Sequence, residues 1–236
     1  MKKFKLLLLM GLVVVVGLGL FSQSVMAGVN GSKRCMNCHR EETVSWKESA
    51  HANKQIKCLS CHKRNMSLRK SKEKLCVQCH TAGDIKPGES IGMPQKEMNA
   101  GVGGFGVEKA MPEGMYSVGV TCIDCHMPDG KRHTFKIVMP KQAKEGKTDA
   151  CISCHTIFQP EIMQNAVDDW QNNTINLLAK VKKLLKKKEE FKDHELYKKA
   201  EINYRFVKKD GSKGAHNPDY AQKLLRISVR MLESLR

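Results

Sequence analysis

The sequence predicts a mainly α-helical chain with much irregular loop and a helical C-terminal segment. Three observations carry that expectation. Beyond residue 158, apolar side chains recur at helical spacing in three runs, bounded by proline, asparagine or glycine. Between residues 81 and 121, nine of the eighteen glycines fall in a stretch with neither a helical nor a strand period. Only 41% of the 236 residues are hydrophobic and 6% aromatic, too few for a thick aliphatic core, so something other than side chains is expected to fill part of the interior.

The first element is a leader, expected over residues 1–27. Lys2, Lys3 and Lys5 precede an apolar stretch from Leu6 to Phe21, and Val25-Met26-Ala27 offers small residues for a signal peptidase cutting before Gly28. A retained membrane anchor is the alternative, for which this apolar stretch is slightly short. Either way the remainder is expected in the periplasm or another extracytoplasmic space.

Residues 28–158 hold all ten cysteines, in five pairs of one spacing: Cys35 and Cys38, Cys58 and Cys61, Cys76 and Cys79, Cys122 and Cys125, Cys151 and Cys154. Each pair is followed at once by a histidine, namely His39, His62, His80, His126 and His155. CxxC alone also serves zinc sites and redox dithiols. With nine histidines in 236 residues, five chance followers have a probability of about one in ten million. CxxCH is the attachment signature of c-type haem: two thiols form thioethers and the adjacent imidazole reaches the iron. Five covalently attached c-type haems are therefore expected, about one per 42 residues of the mature chain. The expected fold is a haem-packed multihaem cytochrome c, in which flat macrocycles replace aromatic side chains as buried apolar surface.

Charge points the same way. The formal net charge is +17, and removal of the three leader lysines lowers it to +14. About ten haem propionates would bring it near +4 with every iron ferrous, so much of the lysine and arginine offsets the cofactor. No glycine-rich phosphate loop or basic stripe interleaved with aromatics is present, which removes nucleotide and nucleic-acid partners from consideration.

The first three motifs begin 23 and then 18 residues apart, leaving room only for short turns between clustered haems. The segment from Thr81 to Thr121 is expected to be an irregular loop, covering a haem face or an access channel. The helices of 159–236 follow. The first starts at Pro160 with Ile175, Leu178, Val181 and Leu185 on its apolar face. Asp193 is the expected cap of a second, which carries Leu196, Ala200, Tyr204 and Val207 and stops at Gly211 and Gly214. The third runs from Pro218 with Ala221, Leu224, Leu225, Leu232 and Leu235 inward, while Lys182, Lys183, Lys186, Lys187 and Lys188 form a solvated face or a dock for an acidic partner.

Axial ligation separates electron carriage from substrate binding, because a six-coordinate iron can only pass electrons. Four histidines remain for five distal positions: His51, His133, His194 and His216. His51 lies on an expected short helix, His133 in a stretch bent by Pro128 and Gly130, and His216 at the rigid entrance of the Pro218 helix. His194, between Asp193 and Glu195, has the look of a surface histidine. The shortfall leaves one iron for a methionine (Met93, Met98, Met111 or Met115), an open position, or a group from another subunit.

With these residues laid out, the chain resembles the multihaem superfamily of cytochrome c nitrite reductase, hydroxylamine oxidoreductase and the small tetrahaem cytochromes of nitrifying bacteria. Cys35-Met36-Asn37-Cys38-His39 with Trp46-Lys47-Glu48-Ser49-Ala50-His51-Ala52 is similar to the opening of the small cytochromes. Gly119-Val120-Thr121-Cys122-Ile123-Asp124-Cys125-His126-Met127-Pro128 followed by His133 is similar to a nitrite-reductase haem segment, and Gly214-Ala215-His216-Asn217-Pro218 to that family's C-terminal end. There the histidine before Asn-Pro is a distal haem ligand. The CxxCK motif common at the catalytic haem of nitrite reductases is absent. The first two motifs also resemble membrane-anchored quinol-oxidising cytochromes. The resemblance implies an electron relay between redox partner proteins, such as a quinol-oxidising complex and a terminal reductase in respiratory or nitrogen-cycle electron transport. The alternatives it carries are a small haem reductase or oxidase of nitrite or hydroxylamine at an open haem, and a membrane-anchored quinol-oxidising cytochrome.

Overall fold

A computed structural model describes residues 35–143 and 149–236. The expected leader lies outside the described residues. The described residues are helical and irregular, with no strand among them, and no described helix is long and apolar enough to cross a membrane.

The chain divides into two compact units. The first runs to Ser67 and takes in Lys131–Phe135; the second comprises Leu68–Gly130 and Lys136–Arg236. Within the second unit the 81–121 segment packs on the C-terminal helices.

In the first unit, α1 (Arg40–Lys47), α2 (Ala50–Asn53) and α3 (Cys58–Cys61) follow one another through tight turns. Ser49, fully buried, caps α2 by accepting the Ala52 N–H at 3.2 Å. The Trp46 indole donates to the Ile56 carbonyl at 3.0 Å and closes the loop that carries His51.

The second unit begins with α4 (Lys72–Leu75), which runs into a 3₁₀ turn at Cys76–Gln78. Then come α5 (Gln95–Ala100), α6 (Gly114–Ser117), α7 (Cys122–His126) and three long helices: α8 (Pro160–Lys187), α9 (Glu195–Asp210) and α10 (Pro218–Glu233). Proline occupies the first turn of α8 and α10, where its missing N–H costs nothing. Asn217 caps α10 by accepting the Tyr220 N–H at 3.0 Å. The expected Asp193 cap is displaced by one residue: His194 caps α9, its Nδ1 accepting the Leu196 N–H at 3.2 Å.

The three helices bury Val181, Ala200, Ile202, Phe206, Val207, Tyr220, Leu224, Leu225 and Leu232 in one cluster. Each large side chain there contributes about 1.5–3 kcal/mol. On α8 the expected stripe is shifted, since Ile175 is 41% exposed whereas Thr174 is fully buried, its hydroxyl donating to the Trp170 carbonyl at 2.9 Å.

The segment from Thr81 to Thr121 is irregular over most of its length, as its composition suggests, but it is tied down rather than free. It contains α5 and α6, and Met98 belongs to the buried cluster. Side chains of α9 and α10 hold its backbone. Asn203, fully buried, accepts the Phe105 N–H at 2.8 Å and donates to the Phe105 carbonyl at 3.0 Å. The Tyr220 hydroxyl accepts the Gly104 N–H at 2.7 Å, and the Asn217 amide donates to the carbonyls of Met98 and Met111 at 3.1 and 2.6 Å. Glycine lets the backbone come this close: a Cβ at Gly104 would sit 2.3 Å from Leu224. Specific long-range bonds fix this strap, so no local period marks it.

Candidate functional site

Every Cys-x-x-Cys-His segment closes the same helical turn. The histidine N–H donates to the carbonyl of the first cysteine at 2.9 Å in His39, His62 and His155 and at 3.0 Å in His80, while Cys122 to His126 is itself a helix. Residues three and four apart share a helix face, so one turn presents both sulfurs and the imidazole on one side. Two of the turns have carboxylate caps: Asp149 accepts the N–H groups of Cys151 and Ile152 at 2.7 and 2.6 Å, and Asp124 forms a capping box with Thr121.

The turns also meet one another within each unit. In the first, burial raises the Cys58 thiol, and the neighbouring Cys35 raises it further. In the second, a hydrogen bond with Cys76 draws the Cys122 thiol down to about 6, while burial pushes Cys125 to about 11, with Cys151 and Cys154 adding to the rise. These thiols belong to the chain before thioether formation. Their proximity shows that the third, fourth and fifth motifs are neighbours, as are the first and second.

Two imidazole pairs test whether the residues fit haem. The rings of His62 and His133 have centroids 6.1 Å apart, and those of His126 and His216 are 6.2 Å apart. A metal–imidazole bond is about 2 Å and the bonding nitrogen lies about 1 Å from its ring centre, so two imidazoles on opposite sides of one iron have centroids about 6 Å apart. Both pairs join a CxxCH histidine to a distant histidine at that spacing. The residues therefore fit a c-type haem held by two thioethers and two imidazoles.

The outer nitrogens are fixed as such ligation requires. His62 Nδ1 lies 2.8 Å from the Met66 carbonyl and His133 Nδ1 lies 2.6 Å from the Lys131 carbonyl. His80 Nδ1 faces Gln95 Oε1 at 3.2 Å, and His216 Nδ1 faces Asp210 Oδ1 at 2.7 Å. Burial by itself would lower the His216 pKa, but the Asp210 hydrogen bond and charge outweigh it and the net shift is upward.

The remaining expected ligands are placed as follows. His51 lies on α2 with its ring edge-on to Phe135, centroids 4.5 Å apart. His155 packs 6.0 Å from Phe158, and His39 lies 4.0 Å from Glu42. His194 is exposed and occupied as the α9 cap. Met98 is enclosed in the apolar cluster and Met111 packs against it, whereas Met93 is 43% exposed. Among the described residues no three His, Cys, Asp or Glu side chains converge to hold a bare metal ion.

Asp210 is the residue that the sequence reading overlooked. Its one signal is position: an acid in the last turn of α9 faces the negative end of the helix dipole, a placement that local preference disfavours.

Residues 114–234 match the family described as cytochrome c552, and residues 34–104 match cytochrome c554 and c-prime. Cytochrome c-554 of Nitrosomonas europaea is 31% identical over 111 residues, covering 43% of this chain and 39% of the relative. The outer cell wall cytochrome OcwA superposes with a TM-score of 0.70 at 38% identity, over 84% of this chain and 45% of its own. Cytochrome c nitrite reductase from Desulfovibrio desulfuricans, at 20% identity and a TM-score of 0.54 over 75% of this chain and 55% of its own, shares the fold. The chain thus spans 39% of the curated relative and 45% of OcwA.

Proposed function

The chain belongs to the cytochrome c552 family and is a multihaem c-type cytochrome, and from that premise we propose that it is an exported pentahaem protein relaying single electrons between redox partner proteins in respiratory or nitrogen-cycle electron transport. The observation that carries this reading is the pair of histidine couples, His62 with His133 and His126 with His216, at the separation of imidazoles sharing an iron. When bound, haem supplies reversible one-electron exchange at iron.

The chain's own residues do the rest. Cys35, Cys38, Cys58, Cys61, Cys76, Cys79, Cys122, Cys125, Cys151 and Cys154 anchor the five groups, and His39, His62, His80, His126 and His155 ligate them on the near side. His133 and His216 close two iron sites against external ligands, which favours relay over substrate binding there. Adjacent motif turns, Cys35 beside Cys58, Cys76 beside Cys122 and Cys125 beside Cys151, set neighbouring groups close enough for a short conducting path within each unit. Export to the periplasm or another extracytoplasmic space is supported by the basic-apolar leader and the name of OcwA. Docking of quinol-oxidising or terminal-reductase partners is supported by the excess of lysine on α8.

Mass spectrometry combined with coulometric reduction of the purified holoprotein tests this directly. Five haem additions and five one-electron equivalents are expected per chain. Two or fewer haems, from a host with full maturation machinery, would overturn the reading.

A further inference from the structure

We propose that Asp210 is a positioning residue that holds His216 through a buried carboxylate and thereby biases the haem behind Cys122–His126 toward the ferric state. The inference rests on the reading that His126 and His216 face one iron.

The outer partners of four ligating rings differ in kind. His62 and His133 meet backbone carbonyls and His80 meets a neutral amide, whereas His216 meets a carboxylate at 2.7 Å. The Asp210 side chain is fully buried, so water does not dilute its charge. Its second oxygen accepts the Ser212 N–H at 3.2 Å and the Ser212 hydroxyl, which fixes the carboxylate plane. The adjacent cation is turned elsewhere: Lys209 Nζ donates to the Ile91 carbonyl at 2.6 Å. An acid buried at a helix C-terminus breaks two local preferences at once, and such breaks mark functional positions.

A carboxylate on the outer nitrogen raises the basicity of an imidazole ligand. A more electron-rich ligand favours the higher iron charge and lowers the reduction potential of that haem, as does a buried negative charge beside it. His62 and His133 donate to neutral carbonyls, which raise ligand basicity less than a charged carboxylate does, so Asp210 makes haems of like ligation unequal.

Asp210→Asn removes the charge while its Oδ1 still accepts from His216. In a spectropotentiometric titration of the holoprotein, one haem should lose about tenfold of its ferric preference, ~59 mV upward for a one-electron couple, with the others unmoved. Electron paramagnetic resonance should show that haem still low-spin, so that the potential moves with His216 still bound, whereas a purely structural role would release the ligand and give a high-spin signal. Ser212→Ala frees the carboxylate to interact more strongly with His216 and should move the same haem downward; it carries the test if D210N does not fold. Potentials unchanged in both variants, or moved in the same direction by both, would overturn the proposal while leaving the ligand assignment intact. A haem-free peptide at Cys122–His126 in the wild-type protein would overturn both.

Discussion

An imidazole binds iron reliably through one nitrogen only when the other is held, and this chain assigns a different holder to each ring. His62 and His133 lean on the carbonyls of Met66 and Lys131, while His216 leans on Asp210. Replacing His216 by alanine should leave one iron without its far ligand, so one low-spin ferric signal is lost and one high-spin signal gained, the remaining haems being unchanged. His133→Ala should do the same to a different haem, and a variant of either kind that stays wholly low-spin would refute its pairing. The five Cys-x-x-Cys-His turns were legible because the residues that covalent attachment would use are adjacent in sequence. His133 and His216 were legible only as candidates, since which motif each one faces depends on the path of the chain between them. Asp210 was illegible, because its meaning depends on a histidine beyond the helix end and no local pattern links the two.

Among elements, the strap from Thr81 to Thr121 is mostly irregular as expected, but what holds it in place was hidden. The C-terminal helices were readable from their apolar period and their Pro160, Gly211 and Pro218 punctuation, which act locally. The strap was not, since its order comes from Asn203, Asn217 and Tyr220, side chains that lie far along the chain and satisfy its backbone. Buried asparagines in a helix read as polar faces until the bonded backbone is known. Asn203→Ala should orphan the Phe105 N–H and carbonyl together and cost about 1–3 kcal/mol in thermal or chemical unfolding of the holoprotein. Gly101→Ala should be at least as severe, about 2 kcal/mol or more, because φ is +64° there and an added Cβ would lie 1.9 Å from the Met111 carbonyl oxygen. A loss below half a kcal/mol in either variant would show that the strap is held by something other than these contacts. The same elements position the chemistry, since Asn217, which grips the strap, follows His216 directly.

At the scale of the whole molecule, the supply of imidazoles limits what the irons can do. Five of the nine histidines belong to CxxCH motifs and four remain for five distal positions, so a monomer carrying the proposed five haems would have at least one that is not bis-histidine. The proposed pairing sharpens that count. With His133 and His216 opposite His62 and His126, as proposed, His51 and His194 are left for the irons of His39, His80 and His155. His194 is exposed and its Nδ1 is taken up as the α9 cap, so it is not counted as a ligand. Two non-bis-histidine haems are therefore expected per monomer. Near-infrared magnetic circular dichroism should reveal a thioether band for each iron taken by methionine, and electron paramagnetic resonance of the oxidised protein a high-spin ferric signal for each left open. Met98 is withdrawn into the apolar cluster, which weights the outcome toward open positions. An open iron that binds nitrite or hydroxylamine and turns it over faster than a free haem peptide would shift the chain from relay toward reductase, whereas five bis-histidine spectra from a verified monomer would break the count itself.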